Sequence, residues 1–178
     1  MEKTLLIIDM LNDFCTGEGV LALNSDDEVY AAPIIPFIRE KLLEAIQEDW
    51  QIIFISDHHE PDDEEFKRFP LHCVRDTYGA KIIEDLTDLL PEGKEVYYLT
   101  KQRYSSFYNT NLEELLEGTE EVHVVGVCTN ICVLYTVEEL CNRDLKVIVY
   151  KEGVASFDEE AHKFALKQME TVLGAKIV

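Results

Sequence analysis

Four short segments of the chain hold side chains able to act together as nucleophile, acid and base: Asp9, the run Asp57-His58-His59, Lys101, and the stretch from Cys128 to Cys132. Each follows or closes a run of apolar, largely β-branched residues, the pattern of a buried strand, so an acid, a cluster with imidazoles, an amine and a thiol are all expected at strand ends. Cys132 comes just after Thr129-Asn130 at the start of a predicted helix, where unpaired N–H groups and the positive end of the helix dipole favour a thiolate. A Lys101 ammonium nearby would lower the thiol pKa further. Asp9 could take the thiol proton and return it to a leaving amine. A lone cysteine on an apolar helix face is ordinarily core filler, and it is Asp9 and Lys101 at matching strand ends that make Cys132 a candidate nucleophile.

The second segment continues as Asp57-x-His59-x5-Glu65-x6-His72. Mixed carboxylate and imidazole donors suit one divalent ion, Zn²⁺ first with Fe²⁺ or Mn²⁺ as alternatives, rather than a thiolate-bound structural zinc. Cys73 is the competing soft ligand, although a residue adjacent to His72 cannot easily share its direction. The other reading is a solvated acidic loop with incidental histidines, since Glu60, Asp62, Asp63 and Glu64 read as surface. Phe14, Phe69 and Tyr104 flank the candidate residues and could stack on a flat ring or pack the core. His123, inside a strand, and His162, on the last helix, read as structural.

Six strands are predicted to position these groups: 4–8, 51–56, 95–100, 122–127, 145–150 and 175–178. Helices are expected over 33–48, 129–142 and 158–173. In the first of these Ile34, Phe37, Ile38, Leu42, Ala45 and Ile46 form one apolar stripe, with prolines in the first turn; Gly174 closes the last. Alternating strands and helices imply an α/β fold with a mainly parallel sheet buried on both faces. Ligands of such sheets bind beyond the carboxyl ends of the strands, where strand order reverses. If the fourth strand lies beside the first, Asp9 and Cys132 become neighbours.

The 178 residues are expected to form a single domain, and 47% apolar content with eight Phe, eight Tyr and one Trp excludes disorder as the main state. A formal charge of −20 argues against nucleic acid and against an anionic membrane surface, since both draw affinity from clustered Lys and Arg. No stretch has the form of a signal peptide or a bilayer span, and the five cysteines lack disulfide spacing, so a cytoplasmic protein with reduced thiols is expected.

The segments Ile8-Asp9-Met10-Leu11-Asn12-Asp13-Phe14, Thr100-Lys101-Gln102-Arg103-Tyr104-Ser105-Ser106-Phe107 and Gly126-Val127-Cys128-Thr129-Asn130-Ile131-Cys132-Val133 resemble the nicotinamidase branch of the isochorismatase-like cysteine hydrolases. The resemblance implies a three-layer α/β/α sandwich with strand order 3-2-1-4-5-6. It implies Cys132 as nucleophile, Asp9 as proton shuttle and Lys101 as the group stabilising the thiolate. Asp57, His59 and His72 match the family's metal ligands, with Glu65, or its neighbour Glu64, as the further one. Phe14 and Phe69 would sandwich a pyridine ring with Tyr104 at the pocket edge, and a cis bond before Cys128 would bring the N–H groups of Cys128 and Cys132 together as an oxyanion hole. A thiol at position 128, where the family often has Ala or Thr, is a departure. The implied reaction is deamidation of a small carboxamide, nicotinamide or pyrazinamide, to the acid and ammonia through a thioester. The alternatives are an N-carbamoyl or ureido amidase, an enol-ether hydrolase, or a non-catalytic metal-binding protein of the same fold. The resemblance leaves open whether the chain forms a homo-oligomer.

Overall fold

The computed structural model describes residues 3–178. Its strands are β1 (Lys3–Ile8), β2 (Gln51–Asp57), β3 (Tyr97–Lys101), β4 (Glu121–Val127), β5 (Lys146–Ala155) and β6 (Lys176–Ile177). Its helices are α1 (Asn12–Cys15), α2 (Ile35–Gln47), α3 (Glu84–Thr87), α4 (Leu112–Leu115), α5 (Leu134–Asn142) and α6 (Glu159–Thr171). All strand pairings are parallel, in the order β3-β2-β1-β4-β5-β6. The winding reverses between β1 and β4, so the crevice at their carboxyl ends is the natural ligand position.

Alternate residues of the central strands face opposite layers. Leu5, Ile7, Ile52, Phe54, Val125 and Val127 pack with Ile38, Leu42 and Ala45 of α2 on one side. Leu6, Ile8, Ile53, Ile55, Val122 and Val124 pack with Val137 and Leu140 of α5 and Met169 of α6 on the other. Each such aliphatic side chain, moved fully from water into the core, contributes roughly 1.5–3 kcal/mol. That two-sided burial explains why β1, β2 and β4 read as unbroken apolar runs.

The differences from expectation are local. β3 begins at Tyr97 rather than at residue 95 and includes Lys101. β5 runs to Ala155, because its register against β4 shifts between Val124 and Gly126 and the exposed Lys151 and Glu152 occupy the bulge; a break in apolarity thus marks an irregular strand, not its end. The short helices α1, α3 and α4 have too few residues to show a period. Residues 129–133 do not start as an α-helix: they form a π-helical turn in which the N–H of Val133 donates to the Cys128 carbonyl at 3.2 Å, and α5 follows from Leu134. Such turns recur at functional sites.

Gly126 lies in β4 opposite Ile8, with φ +121°, and a Cβ there would sit 2.0 Å from the Ile8 carbonyl oxygen. Gly126→Ala therefore forces the two central strands apart at the point where they deliver Asp9 and Cys128. It is expected to destabilise the fold by about 3 kcal/mol or more, read as a lowered urea midpoint with an unchanged slope; a midpoint equal to wild type would refute this.

Candidate active site

β1 ends at Ile8, and Asp9 turns off the strand with φ 54°, a left-handed conformation that Asp tolerates better than most residues. Its N–H donates to the Ile55 carbonyl, and its Oδ1 accepts from the N–H of Asp57 at 2.8 Å, which ties the ends of β1 and β2 together. Lys101, last in β3 and paired in register with Asp57, reaches across with its ammonium. Nζ lies 2.8 Å from Asp9 Oδ2, donates to Asp57 Oδ1, and lies 3.4 Å from Cys132 Sγ. Donor atoms of Asp9, Asp57 and Cys132 fall within 4.8 Å of one another. All four side chains are buried. The structure thus brings together the nucleophile, acid and amine expected from the strand ends.

Burial shapes the charges. It works against the Lys101 ammonium, but the Asp57 and Asp9 carboxylates outweigh it and hold the lysine pKa well above its usual value. Burial, with the Asp57 charge added, lifts Asp9 to about 6 against the pull of Lys101. Asp57 stays at about 2 despite its burial, because Lys101 and His59 favour its anion. The Cys132 thiol departs from expectation. Burial pushes it well above the usual thiol value; the Lys101 charge opposes this, but Asp9 and Asp57 reinforce it. Burial together with two carboxylates thus outweighs the one ammonium and disfavours the thiolate.

Beside this group, donor atoms of Asp57, His59 and His72 also fall within 4.8 Å of one another. Asp57 Oδ2 lies 3.7 Å from His59 Nε2 and 3.9 Å from His72 Nε2. These gaps are near the ~3.4 Å separating two ligand atoms that each sit about 2.1 Å from one tetrahedral ion. Both Nδ1 atoms are already engaged, that of His59 with Asp63 Oδ2 at 3.1 Å and that of His72 with the Pro70 carbonyl at 2.7 Å. An Nδ1–H so held leaves an Nε2 lone pair facing the cluster. His59 Nε2 and Glu65 Oε2 are buried without a hydrogen-bond partner, as expected of residues whose partner is a cation. The donor set fits a divalent metal ion.

Glu65 is buried whereas Glu64 is exposed and pairs with Lys67, so of the two only Glu65 turns inward, although it lies outside the tight group of three. Cys73 is buried, with its thiol pushed far up by burial, and it is not among the converging donors. Asp63 does not belong to the surface, contrary to the loop's acidic appearance. Its side chain is 5% exposed, it accepts from the N–H of Glu65, and it pairs with Arg103 at 3.1 Å as well as with His59. His123 is the structural residue expected, its ring centroid 4.3 Å from that of Trp50 at a tilt of 34°, and bonded to Tyr150 and Glu121.

Phe14, Phe69 and Tyr104 line one small cavity of about 30 Å³ with Cys128, Cys132, Asp57, Glu65 and His72, tighter than a usual small-molecule site. Leu21, Ile131 and Phe157 complete the wall; no motif or spacing singled them out. The peptide bond between Val127 and Cys128 is cis, as the resemblance implied. Burial pushes the Cys128 thiol up to about 12, and its sulfur lies 3.3 Å from the Tyr30 hydroxyl. Behind Phe14, Asp13 accepts from the N–H of Cys73 at 2.7 Å and of Val20 at 3.3 Å, and a Cβ at Gly79 would lie 2.0 Å from its carboxylate.

The sequence model of the Isochorismatase domain matches residues 3–177. The chain belongs to the isochorismatase family. An isochorismatase family protein of Bacillus subtilis, PncA, is 33% identical over 99% of both chains. The crystal structure of nicotinamidase PncA from Bacillus subtilis superposes with a TM-score of 0.90 at 32% identity, covering 100% of this chain and 99% of that one. A pyrazinamidase of Pyrococcus horikoshii in complex with zinc gives 0.87 at 28% identity, over 100% and 99%. The sheet order seen here is the one expected of this family. Among the described residues no helix is long and apolar enough to cross a membrane.

Replacing Lys101 by Met would leave two buried carboxylates facing each other with no cation between them. Removing one partner of a buried charge cluster costs about 3–5 kcal/mol. Lys101→Met is expected to lose stability on that scale in urea melts at neutral pH; a loss below about 1 kcal/mol would contradict the charge arrangement described.

Proposed function

We propose that the protein is a metal-assisted cysteine amidohydrolase that deamidates nicotinamide, and analogues such as pyrazinamide, to the carboxylate and ammonia. The observation that carries this reading is the Lys101 ammonium 2.8 Å from Asp9 and 3.4 Å from the Cys132 sulfur, where Cys132 lines a cavity with aromatic rings, Asp57 and His72, and His59 converges on the last two. The relatives described as a nicotinamidase and as a zinc-bound pyrazinamidase support it.

In this mechanism Phe14 and Phe69 hold the flat ring, with Tyr104 at the edge. Asp57, His59, His72 and Glu65 would hold a divalent cation, zinc first with iron or manganese as alternatives, which when bound would supply Lewis acidity toward the ring nitrogen. Asp9, whose pKa of about 6 makes it chiefly a carboxylate at neutral pH, takes the thiol proton as sulfur attacks the carbonyl carbon. Lys101 stabilises charge on the sulfur during that transfer. The N–H groups of Cys128 and Cys132 receive the oxyanion, a role whose loss at comparable sites costs ~10²-fold or more. Asp9 then gives its proton to departing ammonia, leaving a thioester. Water deprotonated by Asp9 displaces the sulfur, and the proton returns to it. A protonated resting thiol suits this route, since the nucleophile is made only when a carbonyl is there to accept it.

Ammonia release from nicotinamide and pyrazinamide is the test. Cys132→Ala and Asp9→Asn are expected to lower kcat by about 10³-fold or more with the fold intact. Chelator treatment should abolish turnover, and re-addition of Zn²⁺, Fe²⁺ or Mn²⁺ should restore it. Hydrolysis of N-carbamoyl or ureido substrates without turnover of aromatic carboxamides, indifferent to chelator, would replace this reading with the ureido amidase alternative. Asp63→Ala removes the acceptor that fixes the His59 ring. Loss of such a partner typically weakens metal affinity 10–100-fold, to be measured by competition with a chelating dye; unchanged affinity would show that Asp63 has no part in orienting His59.

A further inference from the structure

The sulfur of Cys132 depends on a turn that carries no regular α-helical ladder, and two side-chain hydrogen bonds from the end of the chain grip that turn. Thr129, its first residue, is fully buried, and its hydroxyl lies 2.8 Å from His162 Nδ1 on α6. Among the described residues His162 is the only hydrogen-bond partner of that hydroxyl. Asn130, next in the turn, accepts at its side-chain oxygen from the Ser156 hydroxyl at 2.6 Å, just after β5. Ile131 and Cys132 then form part of the cavity wall. His162 is half-buried, and burial lowers its pKa, so the ring is neutral near pH 7 and pairs with a neutral hydroxyl. It lines a second, larger groove outside the catalytic cavity together with Phe157, which lines both.

We propose that His162 is a positioning residue for the nucleophile: through Thr129 it fixes the π-helical turn so that the Cys132 sulfur stays beside Lys101 and aimed at the bound carbonyl. No sequence pattern points to this, because position 162 touches neither the sulfur nor the cavity and lies 33 residues after Thr129. A buried hydroxyl without its partner must either stay unsatisfied or move to find another. Movement here shifts the reacting atom, and misplacement by about 1 Å can reduce a rate by ~10². The effect should fall on kcat rather than on KM, since the ring-binding residues Phe14, Phe69 and Tyr104 come from other segments.

The inference rests on the amidase reading for its kinetic arm, and a second arm is independent of substrate. In the full-length, metal-loaded protein, His162→Phe and Thr129→Val are each expected to lower kcat for nicotinamide about tenfold with KM within twofold. The double variant should be no worse than either single one, because both remove the same bond. Thr129→Ser, which keeps the hydroxyl, and His162→Asn, which places an amide near the Nδ1 position, should recover to within about threefold of wild type. Hydrogen exchange of the 128–134 peptide should quicken in His162→Phe and Thr129→Val and not in Thr129→Ser. If His162→Phe fails to fold, the contrast between Thr129→Val and Thr129→Ser decides the matter. Additive losses in the double variant, a KM effect without a kcat effect, or exchange at the wild-type rate would overturn the proposal. Absence of nicotinamide turnover in wild type would remove the amidase reading instead, and the exchange arm would still test the tether.

Discussion

A single ammonium, that of Lys101, lies among two carboxylates and a sulfur where water does not reach, and the rest of the architecture serves to keep it there. Each of its neighbours comes from a different strand end, and neither carboxylate nor the ammonium could be buried charged alone: an isolated carboxylate in such surroundings would gain a proton and an isolated ammonium would shed one. Asp57 uses its two oxygens for different purposes, one toward Lys101 and the other toward His59 and His72. The proton-handling group and the ligand cluster therefore share a member, and neither can be displaced without the other. Parallel winding with a reversal between β1 and β4 is the topological means by which residues so far apart in the chain meet.

The same arrangement decides the state of the thiol. A reading that counts Lys101 alone predicts a thiolate, because it weighs one positive charge and a helix dipole. The structure adds Asp57, a second carboxylate at the same ammonium, and replaces the expected α-helical start with a π-helical turn. The balance moves toward the protonated sulfur. The local sequence around Cys132 does not carry this, since the shift comes first from tertiary burial of the sulfur and then from Asp9 and Asp57 at the ends of β1 and β2.

Strands legible in the sequence were those buried on both sides. Thr4 to Ile8 and Val122 to Val127 form unbroken apolar runs, and their ends deliver Asp9 and Cys128 as expected. β5 was cut short at Tyr150 because Lys151 and Glu152 interrupt the pattern where the strand bulges. The site followed the same rule. Asp9, Asp57, Lys101 and Cys132, legible from strand ends, and His59 and His72, legible from their spacing, converge in the structure. Leu21, Ile131 and Phe157 are not legible as wall residues, because an apolar residue lining a cavity has the same composition as one filling a core. Asp63 was misjudged for a related reason: an acid among Glu60, Asp62 and Glu64 looks solvated until the fold folds it inward against Arg103 and His59. Tyr30 likewise meets Cys128 only through tertiary contact.

Asp13 links two walls of the cavity that seem independent along the chain. It lies within α1, directly before Phe14, and its carboxylate accepts from the N–H of Cys73, the residue after His72, while Gly79 leaves room for it by having no side chain. The cavity wall at Phe14 and the segment that carries His72 are consequently one mechanical unit, so reshaping the Phe14 side would disturb the imidazole at position 72 in the same stroke. Leu21 shares the anchor, since its N–H donates to the Asp13 carbonyl at 2.9 Å, whereas among the described residues no hydrogen bond joins Phe157 to Asp13, so a change of cavity shape at Phe157 would leave the link intact.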